Sequence, residues 1–360
     1  MNDPRYSIDF STNKYNTRYE RLMNILFYAK ELPSNLCCSM NMSYENYKQT
    51  IFKLRQKGLI QTIRKDGLIG YRLTLKAKRS VNTSEYSQYC DCFDDSDDRH
   101  MDLSRRRRRR NFAYLYTLFD RVGIPYESFR KPVLDKSAAY AEYVSFYSAK
   151  EIKQCMSIRS TAINGSILYG CFIGRGMIVP VYMAYGRPKK LGKHEVLVPF
   201  LMEGFFRASA SKAVVICPVN WVAIDYIKQI IENVCNDPKV GLNTGKYSEF
   251  YTFQDDDRFL SHLSDLYNDH TELIQDVIEE YVIDTSDKDG SGRRRFKVGT
   301  GFIDGYPTLV CAGNVDVIQL KRFIRNTVAA YKIGYIFCKQ RDYSIVSEIV
   351  KDTPIGVIEI

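Results

Sequence analysis

The chain has 360 residues, with 52 lysines and arginines against 42 aspartates and glutamates and a formal net charge of +10. A composition of 45% apolar and 26% charged residues buries cores in more than one domain and excludes a disordered or fibrous protein. The most apolar stretch, Ala213 to Ile224, is too short to span a bilayer and contains Pro218 and Asn220, while Met1-Asn2-Asp3-Pro4-Arg5 lacks the apolar core of a signal peptide. A cytoplasmic protein with no membrane partner is therefore expected.

The charge is unevenly spread. Residues 1–80 hold 15 basic and 6 acidic side chains, residues 81–110 hold 7 and 7, and residues 111–360 hold 30 and 29. A local excess of this kind points to a polyanionic partner for the first 80 residues.

Taken in chain order, Leu22, Ile25, Leu26 and Ala29 have helical spacing within Arg18 to Leu32, and Pro33 follows where that helix must stop. A short helix is predicted at Leu36 to Met40. Ser43 is a good N-cap for a third helix, with Tyr44, Tyr47, Ile51 and Leu54 on one face and Gly58 at its end. Leu59 to Ile63 alternates as a strand, Lys65-Asp66-Gly67 supplies a tight turn, and Leu68 to Leu73 returns as a second strand. Three helices followed by a β-hairpin is the order of a winged helix-turn-helix, which assigns residues 1–80 to a DNA-binding domain.

On the third helix, the face opposite the apolar stripe presents Glu45, Asn46, Gln49, Lys53 and Lys57, with Lys48 at its edge. Asn46, Gln49 and Lys53 are the expected base-contacting residues, because amide and ammonium groups hydrogen-bond base edges in a major groove. Lys48, Lys57, Arg64, Lys65 and Arg72 are expected to reach phosphates.

Residues 81–104 read as an acidic linker holding Asp94-Asp95-Ser96-Asp97-Asp98, and the α/β domain is placed at 105–360, opened by a basic helix. Six consecutive arginines, Arg105 to Arg110, repel one another and need a neutralising partner. Phosphate contact by Arg105, Arg106 and Arg107, pairing with the Asp94–Asp98 cluster, and a nuclear address all answer that need, and the run also opens a helix whose Ala113, Tyr116 and Phe119 pack inward.

Beyond this point strands and helices alternate, with a hairpin at 166–184 turning through Gly174-Arg175-Gly176. Helix 195–207, strand 213–217, helix 222–235, strand 249–253, helices 256–267 and 272–281, strands 294–298 and 308–311, helix 315–331 and strands 334–338 and 356–360 follow. The alternation predicts an α/β domain with one central sheet covered by helices and shows no internal repeat.

The ten cysteines are scattered through apolar runs, which fits reduced core thiols, and no CxxC pair builds a zinc site; Cys90, Cys92 and His100 lack a fourth soft ligand. Serine-hydrolase, phosphate-loop and zinc-protease motifs are absent, and the four histidines are isolated from one another. A metal-dependent nuclease needs carboxylates and a lysine on its hairpin, and the hairpin at 166–184 has neither. Glu151-Ile152-Lys153 has the local spacing but falls in a predicted helix beginning at Ser148. Tyr114, Tyr116, Tyr140, Tyr143 and Tyr147 are spaced for packing rather than for nucleophilic attack. No catalytic residue, metal or cofactor is assigned, and a non-enzymatic role is favoured over a replication initiator or nuclease that nicks or cuts DNA.

The winged-helix pattern, the segment Arg105–Arg110 with Asn111-Phe112-Ala113-Tyr114-Leu115-Tyr116, and Phe146-Tyr147-Ser148-Ala149-Lys150-Glu151-Ile152-Lys153 together resemble the replication-relaxation family of plasmids, phages and integrative elements. Ala213-Val214-Val215-Ile216-Cys217 and Glu249-Phe250-Tyr251-Thr252-Phe253 sit where strands of that family's second domain fall. The resemblance implies a second domain like a restriction-endonuclease core and a role in element replication or transfer. The reading is thus a sequence-specific double-stranded DNA-binding protein of a mobile element, acting as an accessory factor or regulator. A winged helix used only for protein contacts is the other non-enzymatic alternative. The α/β domain is expected to bind a protein partner or to self-associate, a homodimer adding specificity through two half-sites.

Overall fold

The computed structural model describes residues 18–38, 40, 42–77, 102–128, 130–156, 166–184, 193–232, 247–281, 283, 300–330 and 333–360. The chain is mixed α/β and divides into two compact units, one within Asp9–Val133 and the other within Leu134–Ile360.

The first unit begins with α1 (Arg18–Ala29), which buries Leu22, Ile25, Leu26 and Ala29 and ends where Lys30 takes a positive φ of 68°. A two-residue strand, β1 (Leu32–Pro33), and a 3₁₀ turn (Leu36–Cys38) lead to α2 (Tyr44–Gln56). Ser43 caps α2, its side chain accepting from the backbone N of Asn46 at 3.3 Å, and satisfies one of the free amides of the first turn. The hairpin β2 (Ile60–Lys65) and β3 (Leu68–Leu73) turns through Asp66 and Gly67, both with positive φ as a two-residue type I′ turn requires. β1 joins β3 on its other side, giving an antiparallel sheet of order β1-β3-β2.

The arginine run lies in α3 (Leu103–Val122), capped by Asp102 and stopped by Gly123 in the left-handed region. This helix corrects the expected domain boundary, since it belongs to the first unit instead of opening the α/β domain. The physical reason is its inner stripe. Ala113, Tyr116, Thr117 and Asp120 are buried, Tyr116 stacks on Tyr126 at 4.6 Å and meets Tyr28 edge-on at 6.1 Å, and Arg21 of α1 pairs with Asp120. Most of the expected acidic linker, with its aspartate cluster and with Cys90, Cys92 and His100, lies outside the described residues.

The second unit corrects the single central sheet to two. β4 (Ser145–Ser148), β5 (Gly170–Gly174), β6 (Met177–Met183), β7 (Lys212–Cys217) and β8 (Glu249–Gln254) form a five-stranded sheet in that order; β4, β5 and β6 are antiparallel and β6, β7 and β8 parallel. β9 (Thr300–Ile303), β10 (Tyr306–Cys311), β11 (Gly334–Cys338) and β12 (Ile355–Glu359) form a second sheet, antiparallel only between β9 and β10. The expected strand at 294–298 lies outside the described residues.

Connecting these strands are α4 (Ala149–Cys155), α5 (Lys193–Phe206), α6 (Asn220–Glu232), α7 (Phe259–Tyr267), α8 (Thr271–Glu280), α9 (Val317–Ala330) and α10 (Gln340–Val350). The order hairpin, helix, strand, helix, strand thus occurs twice, as β5-β6-α5-β7-α6-β8 and as β9-β10-α9-β11-α10-β12, each hairpin turning through two residues of positive φ, Arg175-Gly176 and Asp304-Gly305. An internal repeat is therefore present in the topology. Val215 and Phe250 of one sheet, Leu309 and Ile336 of the other, and Leu320 and Ile345 of the helices share one core, so neither half buries its apolar face alone.

Candidate nucleic-acid interface

The outward face of α2 follows from its register. Tyr47, Thr50, Ile51 and Leu54 are buried, and Tyr47 anchors the helix by donating its hydroxyl to the carbonyl of Pro33 at 2.8 Å. At 3.6 residues per turn the opposite side carries Glu45, Gln49, Phe52 and Gln56, flanked by Lys48 and Lys53, all exposed. Lys48 rests over the Tyr44 ring at 4.3 Å, and Lys53 and Lys57 reach the Tyr19 ring at 5.9 and 5.7 Å. These aromatic supports hold three ammonium groups against the helix while leaving them in solvent.

Of the expected base-reading residues, Gln49 and Lys53 stand on this face. Asn46 is half-buried at its margin beside Thr50, whose hydroxyl donates to the Asn46 carbonyl at 2.8 Å. The residue missed was Phe52, which is 57% exposed. Its signal was legible, since an aromatic side chain three residues from Gln49 and four from Gln56 breaks the polar outer face.

The expected phosphate contacts divide sharply. Arg64 and Lys65 on β2 are exposed, as are Arg105 and Arg107 on α3. Arg72 and Arg106 are corrected, because both are consumed by Glu31, a fully buried carboxylate between α1 and β1. Glu31 Oε2 accepts from Arg72 Nη2 at 2.7 Å and Nε at 3.1 Å, and Glu31 Oε1 accepts from Arg106 Nη2 at 2.7 Å. Arg106 is only 1% exposed. It lies seven residues before Ala113 on the inner stripe of α3, so the helix period drives it inward even though the sequence presents it as one of six equal arginines.

Arg106 does more than neutralise Glu31. Its guanidinium also donates to the carbonyls of Lys65 and, at 3.3 Å, Leu68, the two residues flanking the hairpin turn, while Arg110 donates to the Ile69 carbonyl at 2.7 Å. The hairpin tip is therefore tied to α3, with Arg64 and Lys65 pointing to solvent from the same tip. Gly70 makes this possible, since a Cβ there would stand 2.8 Å from Glu31 Oε1 and 2.9 Å from the Leu32 carbonyl.

In the second unit, α7 brings a polar cluster to the carboxyl ends of β10 and β11. His262 stacks on Phe253 at 5.0 Å, its Nδ1 meets Asn314 Oδ1 at 2.8 Å, and its Nε2 lies 3.9 Å from Asp342 beside a cavity of about 10 Å³. Burial holds this imidazole below its usual range, against the pull of the Asp342 carboxylate. Asp265 is held below the ordinary carboxylate range despite its burial, because Lys339 at 2.8 Å and Arg341 both bond to it. Among the described residues no three His, Cys, Asp or Glu side chains converge as a metal site. The β5–β6 hairpin is lined by buried apolar residues. Glu151 serves a capping box with Ser148, and burial raises the Tyr147 phenol far above its usual range.

No helix among the described residues is long and apolar enough to cross a membrane. No family model, curated protein or solved structure matches the chain.

Proposed function

We propose that the first unit is a winged helix-turn-helix that binds double-stranded DNA, with α2 as the recognition helix and the β2–β3 hairpin as the wing. The observation that carries this reading is the pairing of two exposed basic surfaces in one compact unit. Lys48, Gln49 and Lys53 lie on the outward side of α2, with Lys57 exposed at its C-cap, and Arg64 and Lys65 lie at a hairpin tip fixed by Arg106. A helix of thirteen residues with a polar outer face fits a major groove, and a pinned basic tip fits the adjoining phosphates. Arg105 and Arg107 extend that phosphate surface from α3. If the resemblance to the replication-relaxation family holds, such binding would serve the replication or transfer of a mobile element, as an accessory factor or regulator, with the second unit taking a protein partner or a second copy.

The test is binding of the full chain to a randomised duplex library at several salt concentrations. Affinity falls linearly with salt on a logarithmic scale, and a preferred site emerges. Lys53→Ala and Gln49→Ala lose site preference more than bulk affinity. Arg64→Ala and Lys65→Ala weaken all duplexes alike and each lower the salt slope by about 1. Binding that is absent, or insensitive to salt, overturns the reading. Incubation with supercoiled DNA and Mg²⁺ is the companion assay, and a nicked product abolished by a single Glu or Tyr substitution would replace it with an enzymatic function.

A further inference from the structure

A helix face presented to a major groove meets hydrogen-bonding groups at every base pair but only one apolar feature, the C5 methyl of thymine. The centre of the outward face of α2 carries one large apolar side chain, Phe52, 57% exposed. Gln49 lies three residues before it and Gln56 four after it, so the three share a stripe about two turns long. Both glutamines are exposed. Lys48 and Lys53 stand on either flank, where phosphates border a groove, while the stripe itself carries one charge, the acceptor-only carboxylate of Glu45 at its N-terminal end, and no arginine.

From this arrangement, and resting on the DNA-binding reading above, we infer that the centre of the recognition helix selects A·T base pairs. The Gln49 and Gln56 amides bond adenine N6 and N7 in bidentate fashion, and the Phe52 ring packs on a thymine methyl between them. Guanine is disfavoured at these positions because its O6 and N7 are both acceptors and call for the paired donors of an arginine or a lysine. Specificity here would come from matching an apolar ring to an apolar methyl, a contact that the flanking lysines cannot supply.

The experiment takes the site selected by the full chain from a random duplex library and replaces each thymine in its core by deoxyuridine, which removes only the methyl. The expected core is A·T, and deoxyuridine at one or two positions weakens binding roughly fourfold, the value of one methyl removed from water. Phe52→Ala binds thymine and deoxyuridine duplexes equally while its melting temperature and salt slope stay at the parent values, as befits a side chain mostly in solvent. A selected core of G·C pairs, deoxyuridine duplexes bound by the parent protein as tightly as thymine ones, or Phe52→Ala that keeps the discrimination would each overturn the inference while leaving DNA binding intact. Failure to select any duplex would overturn the DNA-binding reading as well, and would assign Phe52 to a protein contact.

Discussion

Replacing Glu31 by glutamine removes one negative charge from a buried cluster of three guanidinium groups. Arg72 and Arg106 each stand 2.7 Å from its carboxylate and Arg110 stands 3.8 Å away. With an effective dielectric of about 20, the two short contacts attract by about 6 kcal/mol each and the longer one by about 4 kcal/mol. Much of that offsets the cost of burying the ions, so the net loss is set by what remains after substitution. Arg106 stays buried without its counter-charge, and such orphaned ions cost about 3 to 5 kcal/mol. Arg106→Met, by contrast, leaves Glu31 bonded to Arg72 and loses mainly the hydrogen bonds to the hairpin carbonyls, about 1 to 3 kcal/mol.

Hydrogen exchange of the full chain separates the two variants. Amides of β2 and β3 exchange roughly 100- to 4000-fold faster in Glu31→Gln and substantially less so in Arg106→Met, while amides of β5 and β6 in the second unit keep their parent rates. A loss below about 1 kcal/mol in Glu31→Gln, or a larger loss in Arg106→Met than in Glu31→Gln, would refute the view that Glu31 is the electrostatic centre of the unit.

Two further outcomes follow from the same geometry. Gly70→Ala places a methyl 2.9 Å from the Leu32 carbonyl and against Glu31, so thermal melting should show a loss of about 1 to 3 kcal/mol from the first unit, more than an alanine at exposed Gly67 would cause through its strained φ. His262 has its folded-state pKa depressed by burial, so the unfolded chain binds the proton more readily. The second unit should therefore lose stability as pH falls below about 6.5 toward the depressed value. His262→Gln should flatten melting temperature against pH in that window, and an unchanged slope would assign the dependence to other groups.

Much of the first unit could be read from pattern. Ser43, Gly58 and Asp66-Gly67 are local signals whose chemistry acts within a few residues, and the helix and hairpin between them fell where capping and turn rules put them. The outward placement of Gln49 and Lys53 followed from the helical period alone. The short helix expected at Leu36 to Met40 is the 3₁₀ turn Leu36–Cys38, whereas the two-residue β1 and the strand β4 escaped because each is short and owes its pairing to distant chain, β1 to Tyr71 and Gly70 and β4 to β5. The helix α10 was missed because Gln340-Arg341-Asp342 begins it with polar residues that bind α7 and its surroundings rather than showing an apolar stripe.

The second unit's two sheets lay beyond pattern reading for a related reason. Alternation of strand and helix counts elements but does not say which strands share hydrogen bonds, nor where the chain leaves one sheet and begins another. By itself the sequence determined the polarity of the chain: a basic first unit, a near-neutral second one, and the caps and turns that delimit their helices and hairpins. The helical period sets Arg106 in line with Ala113, but that this arginine is sealed there against Glu31 was decided only by the tertiary structure, because the partner a helix face finds lies 75 residues away and identical side chains in a row carry no mark of it.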